Sequence, residues 1–235
     1  MAHKELIGDG WKRQRLLKKQ DIPTQEQVYQ MARDYYNPRD KALFVLLYLT
    51  GGRLTEVIPC RRLKKNVYAL ETVTNKHGYP TKQVTKLSSG SPKVSKTEFK
   101  DHNYPGIMKK NITFSVLKGK EFMIVGMQNR KNPQFLWKNI PVPVKQEGHF
   151  IEMLKEYTDK LDDDMVLFPF GKTKARQIIA DRNMNPHFLR DIRLTHMVML
   201  YDFTPFQLVK YAGWKNSDPA ERYVRLSMGD LLDKF

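Results

Sequence analysis

The chain has 235 residues, 40% of them hydrophobic, and a formal net charge of +16. That length and apolar content hold one generous domain, or one domain with a short appendage, around a packed core. The charge, with a pI near 9.8, argues for a polyanionic partner, and a lone cysteine, Cys60, excludes an intramolecular disulfide framework and fits a reducing, cytoplasmic compartment.

In chain order, residues 1–23 read as a basic N-terminal arm, either a DNA contact or a frayed terminus. Thr24 to Tyr36 predicts a helix, with Thr24 as cap and Gln27 completing a capping box. Asn37-Pro38 breaks it, and Arg39 to Leu49 predicts a second helix that is apolar on most sides and therefore buried. Its apolar run, Ala42 to Leu49, is far too short to span a bilayer. Thr50-Gly51-Gly52 turns the chain, and Arg53 opens a third helix with Glu56 one turn later; on these residues alone, a surface Arg–Glu pair is the plain reading. Cys60 follows as a core or near-core thiol.

From Asn66 to Lys110 the pattern dissolves into Lys, Thr, Ser, Gly, Pro and scattered aromatics. No regular structure is expected there, and the stretch is either a mobile loop or an extra DNA-contacting element. Ile112–Val116, Phe122–Val125 and Leu136–Val142 predict three strands, rich in β-branched and aromatic residues. Gly148 to Lys160 predicts an amphipathic helix with Phe150, Met153, Leu154 and Tyr157 in the core. Asp162, Asp163 and Asp164 read as an exposed loop, since three successive side chains cannot converge on one ion. With the histidines scattered, no metal and no cofactor is expected. Helices then follow over Lys172 to Asn183, from Pro186, up to Gly213, and from Pro219 with Asp218 as N-cap.

The charge is uneven. Lys64 to Lys145 holds 16 Lys/Arg against four Asp/Glu, a net +12. A bias that long suits a phosphate backbone better than a solvated face, and it lacks the apolar helical stripe of a membrane anchor. Lys82, Lys86, Lys93, Lys96, Lys100 and Arg130 are the candidate DNA contacts.

Three stretches carry a resemblance. Asn37 to Val57 runs an apolar helix into T-G-x-R-x-x-E (Thr50, Gly51, Arg53, Glu56). Leu167 to Asn183 begins Leu-Phe-Pro and continues as a helix. His187 to Tyr223 holds His187 and Arg190 in H-x-x-R, then Gly213-Trp214, then Tyr223. In this order they resemble the catalytic core of the tyrosine recombinase (phage integrase) family, over most of residues 24–235. The resemblance implies an α+β fold, mainly α-helical with a small antiparallel sheet, and residues 66–110 then look like an insertion. Asp191 stands where the family often has His, and Trp214 is the less usual of its H/W alternatives. The family usually carries a separate core-binding domain, so the chain is expected to be a catalytic domain or fragment, or a minimal member.

The resemblance also implies roles. Tyr223 attacks phosphorus and forms a covalent 3′-phosphotyrosine, freeing a 5′-hydroxyl. Arg53 and Arg190 offer forked, permanently charged donors to the phosphate oxygens. His187 bonds the phosphate or takes the phenol proton, and Trp214 packs the tyrosine helix. Lys131, in the hairpin before the third strand, protonates the leaving oxygen, with Arg130, Lys118 and Lys120 as alternatives. The partner is double-stranded DNA, with a homotetramer on DNA and a monomer when free. The last residues, Val224 to Phe235, either link neighbours or fold back on their own domain. The rival functions are DNA relaxation like that of a type IB topoisomerase, and non-catalytic DNA binding.

Overall fold

The computed structural model describes residues 22–74, 78–89, 91–129 and 137–227. Its elements begin with α1 (Gln25–Arg33), α2 (Pro38–Thr50) and α3 (Leu54–Val57). Seven strands follow: β1 (Cys60–Tyr68), β2 (Leu70–Thr74), β3 (Pro80–Val84), β4 (Val94–Tyr104), β5 (Ile112–Leu117), β6 (Lys120–Gln128) and β7 (Trp137–Pro143). Then come α4 (Val144–Thr158), α5 (Lys172–Ala180), α6 (Pro186–Tyr201), α7 (Pro205–Ala212) and α8 (Asp218–Ser227). The fold is therefore α+β, mainly helical with small antiparallel sheets, as expected. The chain divides into two compact units, Met1–Pro59 with Pro105–Phe235, and Cys60–Tyr104.

In the larger unit the core is built on α2. Asn37 caps it, Pro38 starts it, and every residue from Ala42 to Thr50 is buried. Burying each of its larger apolar side chains contributes about 2 kcal/mol, so this helix needs neighbours all round, and it packs against α1, α4, α5 and α6. The three-stranded sheet has order β5-β6-β7. Met123, Val125 and Met127 of β6 and Ile140 and Val142 of β7 are buried, while the residues between them, Ile124, Gly126 and Pro141, are more exposed. One face thus lies on the core, as alternation requires of a half-buried sheet. The capping box of Thr24 and Gln27 forms as read from the sequence.

A polar network crosses this core. Glu147 of α4 accepts hydrogen bonds from Arg193 of α6, from the Tyr201 hydroxyl at 2.5 Å and from Gln25 Nε2 at 3.0 Å. The Tyr211 hydroxyl donates to the Leu49 carbonyl at 2.7 Å and accepts from Arg193 Nε at 3.3 Å.

His196 is buried beside that network. Its Nε2 lies 2.9 Å from the Pro23 carbonyl oxygen, and its Nδ1 lies 2.8 Å from the Tyr48 hydroxyl. A carbonyl only accepts, so Nε2 carries the proton and Tyr48 donates to Nδ1. The ring is neutral, and burial pushes its pKa down to about 4. The unfolded chain therefore takes up this proton first as the solution is acidified. Stability linked to His196 is fully present above about pH 6.5 and drains away as pH falls towards 4, by about 2–3 kcal/mol. Urea midpoints should show this loss in the wild type and a smaller one in His196→Gln; equal acid losses would remove His196 from the account.

The smaller unit corrects an expectation. The stretch from Asn66 to Lys110, read as irregular, carries the end of β1 and all of β2, β3 and β4, in two antiparallel pairs, β1 with β4 and β2 with β3. In β2 and β3 most side chains on both faces are exposed. Without a buried face there is no alternation of apolar and polar residues, so the strand signal is missing from the sequence. Cys60, which opens β1, is buried.

Candidate active site

Arg53 sits where α2 ends. Gly51 terminates that helix at φ +54°, a left-handed conformation that glycine adopts without cost. Arg53 then caps α3, its backbone N–H donating to Glu56 Oε2 at 2.9 Å and its Nη1 to Glu56 Oε1 at 2.9 Å. Glu56 is fully buried, so this is no surface pair. A third donor reaches it from the sheet, Lys138 Nζ of β7 at 3.1 Å from Oε2. Burial alone would raise the Glu56 carboxyl, yet the charges of Lys138, Arg53 and Arg190 hold it below the usual range.

Arg190 comes from α6. The Asn185 side chain caps that helix by accepting from the His187 and Phe188 N–H groups at 3.0 and 2.9 Å. Arg190 is buried and points back to α2 and α7. Its Nη1 donates to the Gly51 carbonyl and its Nη2 to the Ala212 carbonyl at 3.1 Å. It thus staples the ends of α2 and α7 together, which the sequence did not suggest. Two of its five N–H donors are committed to carbonyls. Burial and the neighbouring Arg53 charge lower its pKa. Lys138 is lowered to about 8, by burial first and with Arg190 adding to it. Three cations thus gather round one carboxylate, and the surplus positive charge favours an anion.

The next turn delivers Trp214. Gly213 ends α7 at φ +70°, and a Cβ there would stand 2.3 Å from Asn129 Nδ2. Asn129 Nδ2 donates to the Gly213 carbonyl at 3.0 Å, which pins this turn to the end of β6. The Trp214 ring faces the Arg190 guanidinium at 5.8 Å and stacks on Tyr223, 5.8 Å between centroids and 14° between planes.

Tyr223 lies in the second turn of α8. That helix begins one residue earlier than the sequence suggests. Asp218 is inside its first turn, and the Ser217 carbonyl accepts the first bonds, from Ala220 and Glu221 at 2.7 and 3.3 Å. Tyr223 is only 5% exposed. Its hydroxyl donates to Asp191 Oδ1 at 2.5 Å, while Arg222 Nη2 approaches Asp191 Oδ2 at 3.5 Å. Burial, then Asp191, raises the phenol pKa well above its ordinary value.

The structure therefore brings Arg53, Arg190, Trp214 and Tyr223 into one neighbourhood. His187 stands one turn before Arg190 on the same side of α6 and is exposed. Lys131 and Arg130 lie outside the described residues. Lys118, at φ +51°, and Lys120 flank the β5–β6 turn. Lys82, Lys86 and Lys93 are exposed on the smaller unit, and Lys96 and Lys100 are positions of β4 whose side chains are outside the described part.

Two members were missed by sequence reading. Lys138 shares the inward face of β7 with Ile140 and Val142, so a lysine in phase with a strand's apolar residues was the signal available. Asp191 is buried on α6 three and seven residues before buried Leu194 and Val198, the corresponding helical signal.

No protein-family model matches the sequence, and no curated protein does. Among solved structures, the chain is similar in fold to the XerH site-specific recombinase bound to difH substrate in a pre-cleavage complex. That likeness has a TM-score of 0.47 and 11% identity, covering 85% of this chain and 47% of that one. The XerH post-cleavage complex with palindromic difH gives a TM-score of 0.48 and 10% identity, covering 89% and 50%. The chain spans about half the length of these solved chains.

Proposed function

We propose that the protein is a tyrosine-type site-specific DNA recombinase or integrase, which cleaves and rejoins duplex DNA through a covalent 3′-phosphotyrosine at Tyr223. The observation that carries this reading is the buried surplus of positive charge, Arg53, Arg190 and Lys138 around Glu56, beside a stacked, hydrogen-bonded tyrosine. Phosphoryl transfer needs a nucleophile and neutralisation of the non-bridging oxygens, and positioned charge supplies most of the rate. Arg53 and the uncommitted donors of Arg190 meet those oxygens. Exposed His187 bonds the phosphate at the rim, and Lys131 protonates the leaving oxygen. The ester keeps the bond energy, so rejoining needs no nucleotide. Two duplexes must be held for exchange, which calls for four protomers on DNA. The deciding experiment selects bound duplexes from a random pool and presents them nicked, so that a cleaved strand escapes. A denaturing gel then reads the trapped protein–DNA adduct; its absence leaves the non-catalytic DNA-binding reading, which the burial of Tyr223 favours.

Arg53→Ala should slow adduct formation at least about a hundredfold, comparable to losing one oxyanion donor, and weaken duplex affinity far less. Equal losses would make Arg53 an ordinary backbone contact. Arg190→Ala also orphans the Gly51 and Ala212 carbonyls, as Arg53→Ala takes a donor from buried Glu56 Oε1, so both variants are compared at equal folded fraction. In the smaller unit, neutralising Lys82, Lys86, Lys93, Lys96 and Lys100 should flatten the salt dependence of binding by roughly one unit of slope for each phosphate that these lysines neutralise. An unchanged slope would take this unit off the DNA.

A further inference from the structure

We propose that Asp191 is the proton acceptor for Tyr223 in strand cleavage. This rests on the reading of Tyr223 as the nucleophile and goes beyond it, because the resemblance offered His187 for this task. The phenol's hydrogen bond goes instead to Asp191 Oδ1, at 2.5 Å. The donor and acceptor are both buried, at 5% and 7% exposure, and the ring is held by its stack on Trp214. The proton is therefore already directed at a carboxylate before any DNA arrives.

The charged groups facing the hydroxyl are Asp191 and Arg190 from α6 and Arg222 from α8 itself, while the end of α7 contributes the Trp214 ring. Arg222 sits against the other carboxylate oxygen, which keeps Oδ1 turned to the phenol. Burial and Asp191 favour the neutral phenol at rest, so its proton has to leave as the new bond forms. As Tyr223 Oη bonds to phosphorus, its proton passes to Asp191 Oδ1. The bond from phosphorus to the 5′ oxygen breaks, and that oxygen leaves with the electron pair and takes a proton from a separate acid. Rejoining runs the other way, Asp191 returning the proton to Oη as the 5′-hydroxyl attacks.

The test measures adduct formation in single turnover by the full chain, on the selected duplex and on one with a bridging 5′-phosphorothiolate, whose thiolate leaves without an acid. Asp191→Asn keeps the size and an acceptor oxygen but cannot take a proton. It should lower the rate about a hundredfold or more on both duplexes, with unchanged DNA affinity and melting behaviour. A rate equal to or above wild type would overturn the proposal and make Asp191 a latch on the tyrosine. Full rescue by the thiolate would also overturn it, since Asp191 would then act at the leaving oxygen. If Asp191→Asn does not fold, the wild type decides on the phosphorothiolate duplex. A carboxylate acceptor gives a rate flat between about pH 5.5 and 9, whereas a histidine acceptor loses rate below about pH 6.5 and a phenol ionising unaided rises about tenfold per unit throughout. The first pattern supports the proposal and either of the others overturns it. A wild type that forms no adduct at all sinks the strand-transfer reading, and this proposal with it, whereas the other failures leave that reading standing.

Discussion

Replacing Tyr223 by phenylalanine should remove all covalent protein–DNA adduct while leaving the protein folded. Phenylalanine keeps the ring that stacks on Trp214 and fills the same buried space. Only the hydroxyl and its bond to Asp191 are lost. Asp191 retains Arg222 at 3.5 Å, so the cost is that of one missing partner on a buried acceptor, about 1–3 kcal/mol. A domain with a typical stability of about 5–15 kcal/mol tolerates that. The chemical effect is far larger, because no oxygen remains to form the ester. The neighbouring tyrosines cannot stand in without breaking the core. The Tyr211 hydroxyl is tied to Leu49 and Arg193, and that of Tyr201 to Glu147. Adducts on denaturing gels, compared at equal DNA occupancy, provide the check. Persistence at the wild-type level would move the nucleophile elsewhere.

Glu147→Ala should be the most damaging single change to stability. Glu147 and Arg193 are both fully buried and bonded to each other. Removing the carboxylate leaves the guanidinium between Tyr48 and Tyr201, at 5.1 and 5.5 Å from their rings, with no opposing charge. Breaking such a pair from one side costs about 3–5 kcal/mol, a large share of a typical domain's total. The Tyr201 hydroxyl and Gln25 lose their acceptor as well. Replacing both partners, as Glu147→Leu with Arg193→Met, should recover much of the loss, since no charge is then stranded. Urea unfolding of the two variants separates the cases. A double variant as unstable as Glu147→Ala would mean that shape in this core outweighs the charge.

Along the chain, local chemistry was sufficient for the helices and for the three-stranded sheet. Thr24 and Gln27 form their capping box because both partners lie within one turn, and the strands over Ile112–Leu117 and Lys120–Gln128 announce themselves by composition. Buried α2 was evident from an apolar run bounded by Asn37-Pro38 and two glycines. The spacing of His187, Arg190, Trp214 and Tyr223 also singled these residues out, since their order in sequence is itself the signal. The strands β2 and β3 were not evident, because a ribbon exposed on both faces leaves no periodic trace. What each site residue touches was decided by the tertiary structure alone. Lys138 meets Glu56, Arg190 ties Gly51 to Ala212, and Tyr223 gives its hydrogen bond to Asp191. These partners are far apart along the chain, and only packing of α2, α6, α7, α8 and β7 against one another sets which charges share a buried space and so what each group can do.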